Sequence, residues 1–368
     1  MNRKIGLVVL AVTTLGLATA CSPANTDAAE REVITLTFGV GLPAQHVIIS
    51  DLAEPWLERV EELTDGQVEF DMFVGGELVE TGEEEAALNA GTIDMGMLHP
   101  PYATAQYPLG GVSMLPLSDA TSTEASSAYL AMLNGDDEFS DGTTFKSQFT
   151  DKGFHVWPTQ LAVANRLATV DKQPYSVDTI KKLSLRVSGQ VPEMYAANVG
   201  YSTVTLPGQD MFDAVSRGAI DGTTGSTSDW VTYGLHDTLK YAIADLDLGH
   251  FASVFAIPLD TWNKLPENVQ DAMEQAFEET YMDGTQALDD AGEAAVAKFE
   301  QAGGEMKSLA EIDPDARDRY LSAVTDTWMD FIDDLEANGH PGKEVALLWR
   351  DHLVEAGADV PDGIMSLK

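Results

Sequence analysis

The chain has 368 residues, with 21 Lys or Arg against 60 Asp or Glu, one Cys, and a formal charge of −39. So acidic a surface excludes nucleic acid and an anionic bilayer as partners of the folded part. It suits a salty exterior, where the Debye length falls to a few ångströms and self-repulsion is screened, and a single cysteine excludes an internal disulfide.

The first twenty residues read as a secretory signal: Arg3 and Lys4, an apolar run over 5–17, then Ala18-Thr19-Ala20. That run is too short to serve as a membrane-spanning anchor. Cys21 follows Leu17-Ala18-Thr19-Ala20 directly, an order similar to a bacterial lipobox. The expectation is cleavage before Cys21, lipidation of its thiol and a periplasmic or extracytoplasmic, lipid-anchored protein. The alternative is ordinary cleavage at Ala-x-Ala. Loss of Arg3 and Lys4 with residues 1–20 moves the formal charge from −39 to −41. Residues 21–32 are polar and turn-rich, a flexible tether.

Residues 33–368 exceed the usual size of one domain, so two lobes are expected, with 33–162 plus 252–291 in the first and 163–251 plus 292–368 in the second. The first lobe opens with a strand over 33–40 and a loop ending at His46, at a loop-to-helix step where backbone amides can meet an anion. Leu52, Trp56, Leu57, Val60 and Leu63 follow at the spacing of a core helix. An internal echo then links 83–96 with 209–222. In each, a helix closes on glycine (Gly91, Gly218) and drops into a strand headed by an aspartate (Asp94, Asp221). Thr81-Gly82-Glu83-Glu84 offers a capping box for the first helix. Alternating strands and helices predict an α/β fold with largely parallel sheets, whose ligands sit beyond the carboxyl ends of the strands. Pro266, Val269, Met273, Phe277, Tyr281, Leu288 and Phe299 predict a long C-terminal helix, or one broken near Gly284 and Gly292.

Two cations stand out in so acidic a chain. Arg186 lies in Leu183-Ser184-Leu185-Arg186-Val187 and Arg166 in Asn165-Arg166-Leu167-Ala168-Thr169, both strand-like runs. A guanidinium stays charged and offers a carboxylate two parallel, charge-assisted hydrogen bonds, so two arginines on neighbouring strands could converge on one organic anion; a partly buried salt bridge is the competing reading. The chain lacks Gly-x-Ser-x-Gly, His-Glu-x-x-His, a P-loop and Cys-x-x-Cys, and its seven histidines never fall at metal-ligand spacing. No catalytic residue, cofactor or metal is expected.

From about Leu36 to Ala276 the chain resembles the extracytoplasmic solute receptors of tripartite ATP-independent periplasmic (TRAP) transporters. The resemblance is carried by the strand and loop ending at His46, Leu63-Thr64-Asp65-Gly66-Gln67-Val68, Gly75-Gly76-Glu77-Leu78, Ala90-Gly91-Thr92-Ile93-Asp94-Met95, the strand at Arg186, Arg217-Gly218-Ala219-Ile220-Asp221-Gly222, and the run from Trp262 to Gln270. It implies a two-lobed periplasmic-binding-protein fold with a ligand cleft, a small organic acid as ligand, no chemistry on that ligand, and delivery to a small and a large membrane subunit. It implies that Arg186 clamps the carboxylate with help from Arg166. Gly225 or Ser226 stands where many members carry an asparagine. His46, His99, Tyr102, Trp157, Trp230 and Phe251 are expected as further contacts or walls. A receptor for an ABC importer or a sensor, and a secreted enzyme on a two-lobed scaffold, are the alternatives.

Overall fold

The computed structural model describes residues 33–368; the signal, Cys21 and the tether lie outside the described residues. Among the described residues eleven strands form two sheets. In chain order they are β1 (Ile34–Gly39), β2 (Val68–Phe73), β3 (Met95–Leu98), β4 (Phe154–Pro158), β5 (Asn165–Thr169), β6 (Ser184–Val187), β7 (Ser202–Thr205), β8 (Gly222–Ser226), β9 (Tyr241–Ile243), β10 (Val254–Pro258) and β11 (Glu305–Lys307). The first sheet has the order β2-β1-β3-β10-β4, and the second β11-β9-β5-β8-β6-β7. This is the two-lobed α/β architecture expected. The sheets, however, are mixed rather than largely parallel. β10 runs antiparallel to β3 and β4, and β5 antiparallel to β8 and β9. The cause is the double crossing of the chain: segments that enter one sheet from the other must run against the local βαβ units.

The two crossing segments are zipped together. Thr159 N–H donates to Ser253 O (3.0 Å), Ala162 N–H to Phe251 O (3.0 Å) and Asn165 N–H to Gly249 O (2.9 Å). Beside them runs one unbroken helix, Glu267–Gln301, of 35 residues. Gly284 and Gly292 do not break it; they are points of close approach. A Cβ at Gly284 would lie 2.9 Å from Asp51 O, and one at Gly292 would lie 2.9 Å from a Val163 methyl.

Both echo motifs form as helix, glycine turn and strand, although the capping box expected at Thr81–Glu84 does not: the helix starts at Glu84 itself, whose Oε2 accepts the Gly82 N–H. Gly91 (φ 68°) and Gly218 (φ 66°) take the left-handed conformation that lets each helix turn straight into a strand. The aspartates then tie the next strand: Asp94 Oδ2 accepts Thr37 N–H of β1 at 2.9 Å, and Asp221 Oδ2 accepts Ser184 N–H of β6 at 2.9 Å.

Aromatic side chains fill the core around the first sheet, where Trp56 packs on Trp157 (5.0 Å between ring centroids) and Phe255 (5.2 Å). The stretch 292–368, expected in the second lobe, is divided in its packing. The helix Pro314–Ala337 lies on Gln190–Val199, whereas Gly342–Ala356 lies on Ser122–Asn134, so that Trp349 shares a core with Tyr129 of the first lobe.

Candidate ligand-binding site

β3 and β8, the strands that follow the two echo aspartates, lead at their carboxyl ends to a partly open cavity of about 60 Å³. His46, His99, Tyr102, Arg186, Ser226 and Phe251 line it, together with Asn165, Ser188, Ser228, Asp229, Tyr233 and Ser253, which the sequence did not single out.

Arg186 is 3% exposed, on β6, one place in from the edge strand β7 of the second sheet. Its Nε donates to Leu206 O at 2.8 Å and its Nη2 to the Tyr102 hydroxyl at 3.1 Å. Among the described residues no carboxylate lies within ion-pair distance of it. A buried guanidinium without an anionic partner is costly, by several kcal/mol per ion in real interiors. Gly225 of the neighbouring strand lies beside it: a Cβ there would make an ordinary contact of 3.4 Å with Nη1. Burial pushes the Tyr102 phenol up, against the pull of the neighbouring Arg186 charge. Tyr233 is held well above the usual phenol range by burial and by the Asp229 carboxylate. Both therefore remain neutral hydroxyls at any physiological pH.

Contacts between the lobes narrow the cavity. Tyr102, from the segment after β3, reaches Arg186, and His46 Nε2 approaches Asp229 Oδ1 at 3.6 Å. His46 Nδ1 meanwhile accepts the Ile48 N–H at 3.2 Å, so this residue both shapes the local turn and lines the cavity. Gly189, at φ 142°, permits another approach, since a Cβ there would lie 2.5 Å from Pro101 O.

Four expected contacts do not line the cavity: Gly225, Arg166, Trp230 and Trp157. Arg166 pairs with Gly225 across β5 and β8, and β8 separates it from β6; strands two places apart have backbones about 10 Å apart. It lines a separate groove with Asp119, Glu124, Asp289 and Glu293. Its neighbour Asn165 faces the cavity instead, because side chains alternate along a strand. Its Nδ2 donates to Gly249 O at 2.9 Å, which fixes the amide. Trp230 is fully buried against Phe299 (5.2 Å) in the core of the second lobe. Trp157 is core as well, its Nε1 donating to Glu274 Oε2 at 2.9 Å. An aromatic ring's size marks it for burial, and nothing in its sequence position distinguishes a cavity wall from a core.

Among the described residues no group of three His, Cys, Asp or Glu is placed to hold a metal ion, and no helix is long and apolar enough to cross a membrane.

Comparison with known proteins places this geometry. Among curated relatives, a solute-binding protein of Albidiferax ferrireducens is 21% identical over 80% of this chain and 86% of its own. The C4-dicarboxylate-binding periplasmic protein DctP of Rhodobacter capsulatus is 25% identical over 84% of this chain and 90% of its own. Similar solved structures include a marine metagenome TRAP solute binding protein specific for aromatic acid ligands, in complex with metahydroxyphenylacetate (TM-score 0.78, 17% identity, 88% of this chain and 99% of that one). A TRAP periplasmic solute binding protein from Bordetella bronchiseptica with bound mandelate gives a TM-score of 0.74 at 19% identity, again over 88% and 99%. The family model described as bacterial extracellular solute-binding protein, family 7, matches residues 38–330. The chain therefore belongs to that family, the extracytoplasmic solute receptors of TRAP transporters.

Proposed function

We propose that this receptor captures a small organic acid by its carboxylate, with Arg186 as the anchor, and closes over it before delivery to the two-subunit membrane partner. One observation carries the reading: a buried arginine that lines the cavity between the sheets and has no carboxylate partner among the described residues. A ligand carboxylate would supply the missing charge and take the guanidinium N–H groups left open beside Leu206 and Tyr102. The Asn165 amide and the Ser226 and Ser228 hydroxyls, 2.8 Å from each other, supply neutral contacts where other members carry an asparagine. The wall formed by Tyr102 and Phe251, 4.8 Å between centroids, favours an apolar or aromatic body on the acid.

No nucleophile or metal is part of this reading, so the ligand leaves unchanged. Anchoring through a lipid on Cys21 belongs to the same reading, and mass spectrometry of the mature N-terminus decides between a diacylglyceryl cysteine and a soluble product. A thermal-shift screen of mono- and dicarboxylic acids tests the ligand class. A ligand at a hundred times its dissociation constant stabilises by about 2.7 kcal/mol, a shift easily seen. Acids should shift the melting temperature and their amides should not; shifts by neutral sugars or amino alcohols alone would overturn the reading.

A further inference from the structure

We propose that Asp229 gives the cavity a negative pole beside the positive pole of Arg186 and so selects ligands by charge, favouring acids that also carry an ammonium group and rejecting those with a second carboxylate. This rests on Arg186 as the carboxylate anchor.

Of the residues that line the cavity, one is a Lys or Arg, namely Arg186, and one is an Asp or Glu, namely Asp229. A carboxylate in the wall of a site for anions works against binding unless the ligand answers it. At an effective dielectric constant of 20, a like charge about 6 Å away lowers affinity roughly a hundredfold. The ordinary uses of such an acid do not account for Asp229. It lies in the first turn of the helix Thr227–Thr232 but makes no side-chain capping bond. Its side chain is 22% exposed, so it is not a fully solvated surface charge. Among the described residues no Lys or Arg lies within ion-pair distance of it.

His46, across the cleft, does not cancel this charge. Its Nδ1 accepts the Ile48 N–H at 3.2 Å, so the ring hydrogen sits on Nε2, the nitrogen that faces Asp229 Oδ1 at 3.6 Å. That separation is too long for a hydrogen bond. The imidazole therefore meets the carboxylate as a neutral N–H, and protonation of the ring would cost the Ile48 contact.

The two poles act on one space. β6, which carries Arg186, pairs with β8 in the register Arg186 to Thr223, and β8 runs on to Ser226 and directly into the helix of Asp229. Arg186 Nη2 donates to the Tyr102 hydroxyl at 3.1 Å. Burial raises the phenols of both Tyr102 and Tyr233, and each also feels both charges, Asp229 pushing it up and Arg186 pulling it down. The rings of Tyr102, Phe251 and Tyr233 line the space around these groups, and aromatic faces attract a cation as well as an apolar body.

The test is calorimetric titration of the full mature protein with three acids that share a carboxylate and three methylenes: 4-aminobutyrate, pentanoate and pentanedioate. They differ only in an ammonium, methyl or carboxylate end. The same three ends on two and four methylenes measure the span between the poles. At the best length the wild type should bind in the order ammonium, methyl, carboxylate, with each step at least about tenfold. Asp229→Asn, which keeps the shape and removes the charge, should bring both steps to within about threefold, and Arg186→Ala should weaken all three acids. Ratios are the readout, because loss of the Asp229 approach to His46 would weaken the three alike. A diacid that binds the wild type as tightly as the methyl acid, an order that survives Asp229→Asn, or failure of every ammonium acid to bind would overturn the proposal. The carboxylate reading is judged separately, by whether any acid binds in an Arg186-dependent way.

Discussion

Arg186 and Arg166 are equally basic and lie in one sheet, yet only the first is placed to meet a ligand, since Arg166 faces four acids in a groove of its own. Arg166→Ala should therefore change organic-acid affinity by no more than about 0.5 kcal/mol, the range of an ordinary surface substitution. A tenfold loss by calorimetry would show that Arg166 reaches the ligand after all. The importance of Arg186 was legible through the family resemblance, since charge pattern alone left a partly buried salt bridge open. The position of Arg166 was not, because strand parity and the acids opposite it are set by partners distant in sequence. Parity does hold a clue: in Asn165-Arg166 one neighbour faces the cavity, and the asparagine is the one that does. Ser253, Asp229 and Tyr233 carried no signal, since elements distant in sequence, among them the helix Thr227–Thr232, bring them together. Trp157 and Trp230 were read as walls, and their packing with Trp56 and Phe299 makes them core.

At the scale of elements, local chemistry was the most legible part. Left-handed glycines, strand-heading aspartates and the apolar stripe of the helix Glu267–Gln301 all follow from short-range rules, and they formed. The mixed sheets did not follow from them, because strand direction depends on where the chain crosses between lobes. The long helix adds a constraint of its own. Gly284 would ordinarily gain about 1 kcal/mol of helix propensity on replacement by alanine. Here the new methyl meets Asp51 O at 2.9 Å and the Leu52 side chain at 3.2 Å. Overpacking of this kind costs about 1–3 kcal/mol, so Gly284→Ala should lower the melting temperature. A rise would show that the approach of Asp51 is not a constraint.

At the scale of the molecule, closure and stability meet where the chain crosses between sheets. His250 is fully buried there, its Nδ1 donating to Ala162 O at 2.8 Å and its Nε2 lying 3.3 Å from Asp247 Oδ2. Burial works against its charge, but Asp247 and the Ala162 carbonyl outweigh burial and raise its pKa, with a smaller push from Asp289. The Asp119 carboxyl nearby is raised by burial and by Asp247, against the pull of Arg166. A histidine raised on folding stabilises fully below its unfolded value, near 6.5, and that stability is lost as pH rises through the folded value. Melting temperature should therefore fall from pH 6.5 upward in the wild type, and Asp247→Asn should flatten that fall. Equal slopes in both proteins would remove His250 from the account.

The most direct test of the central claim is calorimetry of Arg186→Ala and Arg186→Lys with the tightest acid from the thermal-shift screen. Two charge-assisted hydrogen bonds at about 1.5–3 kcal/mol each make the expected loss at least about a hundredfold for alanine, with a smaller but clear loss for lysine, which cannot present the planar fork. Affinity within threefold of wild type in a folded Arg186→Ala protein would contradict the carboxylate anchor, and with it the account of how this receptor holds its ligand.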